Sequence, residues 1–283
     1  MQFSPKNLTL ADSTFILLRD LIHEHIGVSY ESDKRELLAD KLLPRVIERG
    51  FSSYLDYYYL LKYDDKADTE WRYLIDALSV QETFFWREFD QVNALVEAIA
   101  PQHLANSPYQ PLRIWSAACA TGEEPLTIAM ALNEAGWFQK MAIEIYASDA
   151  SHSAIAKAES GLYRDRAFRS LSPQLKTKYF QDEAGLARIS PEIHNRIKWS
   201  CANLVSQTDV QKFPQMSVIF CRNVFIYFSE PAIRKTLKLF LPKLLTPGYL
   251  FVGASESLLK LTNALELQEM AGAFVYVNKT INN

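Results

Sequence analysis

The sequence predicts an α/β protein: a mostly parallel, doubly wound sheet, preceded by an all-helical domain and interrupted by a small antiparallel insertion. Three observations predict it. Residues 1 to about 85 place apolar side chains at helical spacing, with few β-branched runs. From about residue 95, short apolar runs alternate with helical patterns, the sequence form of a parallel sheet. Between Tyr179 and Asn203 that alternation breaks. There Tyr179-Phe180-Gln181, a turn near Ala184-Gly185, Leu186 to Ile189, and Ile193 onward read as an antiparallel add-on.

The elements follow in order. Ser13 to Ile26 carries Phe15, Leu17, Leu18, Leu21, Ile22 and Ile26 mostly on one face, and Gly27 stops it. Asp33 is placed to cap a second helix running through Arg49 and closed by Gly50. Ser52 or Ser53 starts a third, Tyr54 to Leu61, and Glu70 to Leu78 forms a fourth; the charged stretch from Lys62 to Asp68 reads as an exposed loop. Gln102 to Pro111 also reads as a loop. Strands are expected at Ile114-Ala118, Ile143-Ser148, Ile197-Ala202, Val218-Cys221, Tyr249-Gly253 and Phe274-Val277. Helices are expected at Pro125-Ala135, Ser153-Ser160 and Glu230-Leu241.

Composition excludes several function classes. At 283 residues the chain can bury a full core, and a formal net charge of −3 gives no electrostatic case for nucleic-acid binding. No run approaches the roughly 18 apolar residues of a spanning helix, and Met1-Gln2-Phe3-Ser4-Pro5-Lys6 lacks the regions of a signal peptide. Cys119, Cys201 and Cys221 are widely spaced without a CxxC, and the five histidines are scattered. The expectation is a cytoplasmic protein in a reducing compartment, with no metal.

Chemistry concentrates where the predicted strands end. Trp115 to Pro125 reads as strand, small-residue loop and helix start, with Gly122 letting the backbone approach a ligand closely. The loop holds Glu123 and Glu124 and no lysine, so it is not built to cradle phosphates. It suits a neutral or cationic ligand bearing a ribose or an amine, which points to S-adenosylmethionine. Asp149 ends the next strand, where an acid takes ribose hydroxyls; the alternative is a turn or N-cap residue. Asn203 follows the third strand and either reads an adenine edge or is an ordinary turn residue. Arg222-Asn223 sit between two apolar runs, where unpaired charge is expensive, and so read as site residues.

These residues carry a family resemblance that spans about residues 14 to 278. Glu82-Thr83-Phe84-Phe85-Trp86-Arg87, Ser116-Ala117-Ala118 through Thr121-Gly122-Glu123-Glu124-Pro125, Ser148-Asp149 with Gly161-Leu162-Tyr163, Phe220 through Phe228, and Gly253-Ala254-Ser255-Glu256-Ser257 occur in order. Together they resemble the CheR family of chemotaxis-receptor glutamate O-methyltransferases. The resemblance implies a helical domain over 1–85 and a Rossmann-like class I methyltransferase domain over 86–283, with a β-subdomain within 179–203. It implies S-adenosyl-L-methionine contacts at Gln81, Thr83, Arg87, Ala117, Glu123, Asp149, Asn203, Leu204, Arg222 and Asn223, with Arg87 and Tyr227 nearest the transferring methyl. The chain departs from the family pattern at Gln81, where Asn is frequent, at Cys119-Ala120, and at Ala150.

Carboxyl methylation suits what the motifs contain. A glutamate side chain, with a pKa of about 4.3, is already an anionic nucleophile at neutral pH and needs no general base. No histidine falls in any motif. On this reading Arg87 orients the incoming carboxylate and Tyr227 holds it, against the alternatives of an Arg87 ion pair with Glu88 or Asp90 and core packing of Tyr227 beside Phe225 and Phe228. The expected partners are the cytoplasmic methylation helices of chemoreceptors, met by Lys34, Lys41, Arg45 and Arg49 along one helix face; a mixed, solvated face is the alternative. The short Gln181-to-Gly185 turn argues against a C-terminal pentapeptide tether. The chain is expected to be a monomer that binds neither nucleic acid nor membrane. Two other functions fit the motifs: a class I methyltransferase with another acceptor, and an adaptor that binds the cofactor without turnover.

Overall fold

Apolar spacing and glycine stops shape the amino-terminal helices. In the computed structural model, which describes residues 8–65 and 67–278, the chain divides into two units: residues up to Val80 with Tyr227–Ile233, and Gln81–Ile226 with Arg234 onward. The reading of Met1 to Lys6, and Lys66 of the charged loop, lie outside the described residues.

In the first unit, α1 (Asp12–Ile26) buries Phe15, Leu18, Ile22 and Ile26 and ends on Gly27, whose left-handed φ of 80° lets its N–H reach His23 O. Leu17 turns outward instead of joining that face. Helix α2 (Arg35–Glu48) follows a 3-10 turn at Ser32–Lys34, so Asp33 lies within that turn and does not cap the helix. Helix α3 (Tyr54–Tyr63) is capped by Ser53, whose side chain accepts from Asp56 N, and α4 (Ala67–Leu78) starts three residues before the predicted Glu70. Both helices therefore extend into the stretch read as loop.

The basic stripe expected on α2 is turned to other uses. Arg45 is 8% exposed and donates Nε and Nη2 to Glu70 at 2.9 and 2.8 Å; Glu70 is fully buried. Arg49 Nε and Tyr57 OH donate to the same carboxylate at 2.5 and 2.7 Å. Lys41 Nζ donates to Leu78 O at 2.9 Å, satisfying a carbonyl that the end of α4 leaves unpaired. A helix terminus and a buried carboxylate thus engage three of the four cations, although Arg49, like Lys34, remains exposed.

The second unit is built on a seven-stranded sheet of β1 (Leu112–Ser116), β2 (Ile143–Asp149), β6 (Ile197–Cys201), β7 (Met216–Cys221), β8 (Leu244–Val252), β9 (Glu266–Met270) and β10 (Ala273–Asn278), in the order β6-β2-β1-β7-β8-β10-β9. All pairs from β6 to β8 are parallel, whereas β10 runs antiparallel to both neighbours. This is the mixed, doubly wound sheet of a Rossmann-like fold. Strands β1 and β7 are mostly apolar and, apart from half-buried Arg113, buried, as a sheet covered on both faces requires. A second, antiparallel sheet has the order β3-β5-β4, from β3 (Leu162–Tyr163), β4 (Phe180–Glu183) and β5 (Leu186–Ile189). Its third strand is therefore Leu162–Tyr163 and not the chain beyond Ile193, which enters a short helix and then the edge of the main sheet.

Helix α5 (Phe89–Ala94) runs through a π-type turn at Leu95–Ile99 into α6 (Ala100–Asn106), burying Val92, Leu95 and Ile99. The predicted loop from Gln102 is thus helical as far as Asn106. After β1 comes α7 (Glu123–Glu134) and after β2 comes α9 (His152–Ser160), with the short α8 (Trp137–Lys140) between them. The remaining helices are α10 (Pro173–Tyr179), α11 (Pro191–His194), α12 (Gln207–Gln211) and α13 (Glu230–Phe240). Phe85 anchors the segment preceding α5: it is fully buried, stacked on Phe168 at 5.2 Å and edge-on to Tyr163 and Phe180 at 4.9 and 5.0 Å. Burying such a ring contributes about 1.5–3 kcal/mol, enough to fix the Gln81–Arg87 segment against the small sheet. Among the described residues no helix is long and apolar enough to cross a membrane.

Candidate functional site

An open α/β sheet binds ligands at the carboxyl ends of its strands, where the connections diverge to opposite sides. Here that point lies between β1 and β7: the chain passes from β1 to β2 on one side and from β7 to β8 on the other. Ala117, Asp149, Asn203, Leu204, Arg222 and Asn223 all stand at or just past a carboxyl end in this half of the sheet, with Glu123 opening α7.

The loop after β1 is held by backbone and by Asp149. Ala117 N donates to Phe220 O at 2.8 Å and Cys119 N to Ser148 O at 2.9 Å, tying the loop to both neighbouring strands. Asp149 accepts from Ala120 N and from Ser151 N, each at 2.9 Å. The N-cap of α9 is Ser151, so Asp149 is a clamp on the loop and not a helix cap. Gly122 has φ of 95°, and a Cβ there would lie 2.9 Å from Ala158 Cβ and from the Trp199 ring. Packing within the protein therefore by itself requires the missing side chain at this position.

Two acids open α7. Glu123 is 4% exposed and accepts from Thr121 OH at 2.7 Å; burial raises its carboxyl above the ordinary range, against that hydrogen bond. Burial raises Glu124 as well, opposed by Arg222 and by a 2.6 Å hydrogen bond from Ser116 OH. Carboxylates in a first helical turn also meet the positive end of the helix dipole.

The residues after β7 form a charged knot. The Arg222 side chain is 2% exposed and donates Nη2 to Arg87 O at 2.7 Å, with Glu88 at 3.3 Å and Glu124 at 3.5 Å completing its ion pairs. Its Nε is buried with no hydrogen-bond partner. Asn223 takes a left-handed φ of 56°, donating Nδ2 to Glu88 at 3.2 Å and its backbone N–H to Glu256 at 2.9 Å. Glu256 also accepts from Gly253 N at 2.6 Å and Ile226 N at 3.2 Å, gathering the ends of β7 and β8. Sequence reasoning assigned no role to Glu256, although it stood in a quoted motif, and gave Glu88 only as an alternative partner of Arg87; the signal available for Glu256 was an acid just past a strand-ending glycine.

Gln81 donates to Ser153 OH at 3.2 Å and accepts from Lys157 at 2.8 Å, which places it over the start of α9 beside Asp149. Thr83 is half-buried. Arg87 is half-exposed and donates to Glu82 O at 2.9 Å, so neither Glu88 nor Asp90 captures it. Asn203 accepts from Val205 N at 3.1 Å, a turn arrangement, and Leu204 is buried. Trp86, Glu88, Ala120 and Asn223 all have positive φ, a strain of about 1–3 kcal/mol each concentrated around one crevice. Tyr227 falls in the other unit, where it is 38% exposed and its carbonyl accepts from Ser29 N at 2.9 Å.

Comparison with known proteins decides the family. Residues 81–274 match the family described as CheR methyltransferase, SAM binding domain, and residues 13–79 match CheR methyltransferase, all-alpha domain. The chain belongs to the CheR methyltransferase family. It is 32% identical over 264 residues to chemotaxis protein methyltransferase 2 of Vibrio cholerae, covering 92% of this chain and 91% of that protein. It is 31% identical over 256 residues to the chemotaxis protein methyltransferase of Escherichia coli, covering 89% and 87%. Among solved structures, the rRNA methyltransferase aviRa of Streptomyces viridochromogenes matches with a TM-score of 0.41 at 13% identity, over 65% of this chain and 83% of that one. This CheR-family chain is an S-adenosylmethionine-dependent methyltransferase. Its crevice fits that group. S-adenosylmethionine is cationic at sulfur and at its amine, and Glu123 and Glu124, whose ionised forms burial disfavours, would have those forms stabilised by a neighbouring cation. The Arg222 Nε, buried without a hydrogen-bond acceptor, matches an amino-acid carboxylate.

Proposed function

We infer that this chain methylates glutamate side chains on the cytoplasmic helices of chemotaxis receptors, forming glutamate 5-O-methyl esters and S-adenosylhomocysteine. The observation that carries the reading is the strand-end site of the SAM-binding domain, where carboxylates and arginines are gathered at the ends of β1, β2 and β7. S-adenosyl-L-methionine, when bound, supplies an electrophilic methyl on a cationic sulfur. Asp149 and Gln81 are the residues for the ribose side, with Asn203 and Leu204 for the adenine. Ala117, Glu123, Arg222 and Asn223 hold the amino-acid end, and Thr83 lines the path from Gln81 to Arg87. Arg87 meets the acceptor carboxylate with a bidentate guanidinium, and Tyr227 is the second residue assigned to the acceptor. No proton has to be moved from an acceptor that is already ionised, so the residues act by alignment and exclusion of water. Alignment of that kind contributes up to about 7–11 kcal/mol in favourable cases. The protein works in the cytoplasm as a monomer. The two-residue Ala184-Gly185 turn between β4 and β5 supports action without a pentapeptide tether.

The test pairs calorimetry with S-adenosylhomocysteine and transfer of labelled methyl to the cytoplasmic fragment of a chemoreceptor. Binding that is lost in Asp149→Ala, with base-labile label on the fragment, is the expected result. Binding without any transfer to receptor glutamates would overturn the acceptor assignment and favour an adaptor or another acceptor.

A further inference from the structure

Glu82 lies between three arginines. Arg166 Nη2 and Arg169 Nη2 donate to its two carboxylate oxygens at 2.5 and 2.6 Å, and Arg87 Nη1 donates to its backbone carbonyl at 2.9 Å. The Phe84 ring packs against two of these guanidiniums, with Arg169 3.6 Å and Arg87 5.7 Å from its centroid. Phe85 N donates to Ala167 O at 2.9 Å, tying the Glu82–Arg87 segment to the Arg164–Arg169 turn. Arg169 and Glu82 both act on the buried Glu123 carboxyl, which sets the cluster beside the crevice.

The balance of charge is one-sided. Between Ser160 and Tyr179 stand Arg164, Arg166, Arg169, Lys176 and Lys178 against Asp165, and after counting Glu82, which pairs with Arg166 and Arg169, and Glu134, which pairs with Lys178, an excess of positive charge remains. Each guanidinium has five N–H donors and places one on Glu82, and the Arg166 side chain is 74% exposed. Arg87 is held on the backbone carbonyl of Glu82 and the other two on its side-chain carboxylate, so the three guanidiniums form two separate stations.

We propose that Arg166 and Arg169, pre-ordered by Glu82 and Phe84, bind a second acidic side chain of the acceptor helix, one turn from the glutamate that Arg87 receives. They are specificity-determining residues: a helix with carboxylates at i and i+3 or i+4 engages both stations, whereas a lone glutamate engages one. The proposal rests on the carboxyl-methylation reading for Arg87 but is measurable without turnover.

The test uses the full chain with a fluorescein-labelled helical peptide bearing glutamates four residues apart, and its analogue with one glutamate replaced by glutamine. Wild type is expected to bind the doubly acidic peptide about tenfold more tightly than the analogue, with a preference that fades in salt. Arg166→Ala/Arg169→Ala is expected to lose that preference while retaining S-adenosylhomocysteine affinity within about threefold, and Arg166→Lys/Arg169→Lys to restore most of it. In methyl transfer, the alanine pair raises KM for the doubly acidic peptide and leaves kcat nearly unchanged. Equal affinity of wild type and the alanine pair for the doubly acidic peptide would overturn the proposal. Charge-dependent binding without transfer would keep the dock and remove the carboxyl-methylation reading.

Discussion

Replacing Arg45 tests whether the basic face of α2 is a docking surface or part of the interior. If Arg45 met an acidic partner, Arg45→Met would slow methyl transfer and leave folding alone. The structure argues the reverse. Arg45 is 8% exposed and supplies two of the four hydrogen bonds to the fully buried Glu70, the others coming from Arg49 and Tyr57. Removing one partner of a buried pair costs about 3–5 kcal/mol, and because Arg49 remains on Glu70, the lower end applies. For a unit whose total stability is on the order of 5–15 kcal/mol, about 3 kcal/mol is a shift of roughly a hundredfold or more in the folded population. With urea slopes of about 1–3 kcal/mol per molar, the unfolding midpoint falls by about 1–3 M.

The assay is urea unfolding by circular dichroism, with hydrogen exchange over α2–α4 to locate the loss in the first unit. The pH dependence gives an independent sign. Burial opposes ionisation of Glu70, but the hydrogen bonds from Arg45, Tyr57 and Arg49 outweigh it and hold the carboxyl below its ordinary value of 4.5. A group depressed in the folded state contributes stability above its unfolded pKa and loses it as pH falls through the folded one. The advantage of wild type over Glu70→Gln should therefore be full at pH 7 and shrink below about pH 4.5. A loss under about 1 kcal/mol in Arg45→Met at pH 7, with slowed transfer to receptor, would refute the argument and return Arg45 to the surface.

Other consequences are as direct. Gly122→Ala is expected to lower stability by about 1–3 kcal/mol and weaken S-adenosylhomocysteine binding, because φ of 95° and contacts of 2.9 Å to Ala158 and Trp199 leave no room for a methyl; calorimetry and thermal unfolding check both. Burial raises the thiols of Cys119 and Cys221 well above their ordinary value, so in native protein at pH 8 a disulfide reagent should modify both slowly and release them only on denaturation. Arg222→Met should abolish cofactor binding and push Glu124 further toward its neutral form, since Arg222 is the strongest influence holding that carboxyl down; Glu124→Gln in the same background should restore part of the lost stability.

What was legible in the sequence, and what was not, follows from the range of the interactions involved. Strand cores such as Ile114-Trp115 and Val218-Ile219-Phe220 announce themselves locally, because a covered parallel strand must be apolar at every position. The cap at Ser53 and the stop at Gly27 are equally local. The helix over residues 100–106 was hidden by Pro101, tolerated in a helix's first turn, and by the polar residues that follow it. Strand β9 was hidden because it is a sheet edge whose Glu266-Leu267-Gln268-Glu269 run is mostly polar. The site divides in the same way. Asp149 and Arg222 were readable because each stands at a strand end. Glu88 and Glu256 were not, because their work is done across space: Glu88 on Arg222 and Asn223, Glu256 on the backbone of Asn223 and Ile226. Arg45 shows the limit most clearly. Its helical spacing is compatible with either face, and only Glu70, 25 residues on and folded against it, decides that the charge points inward.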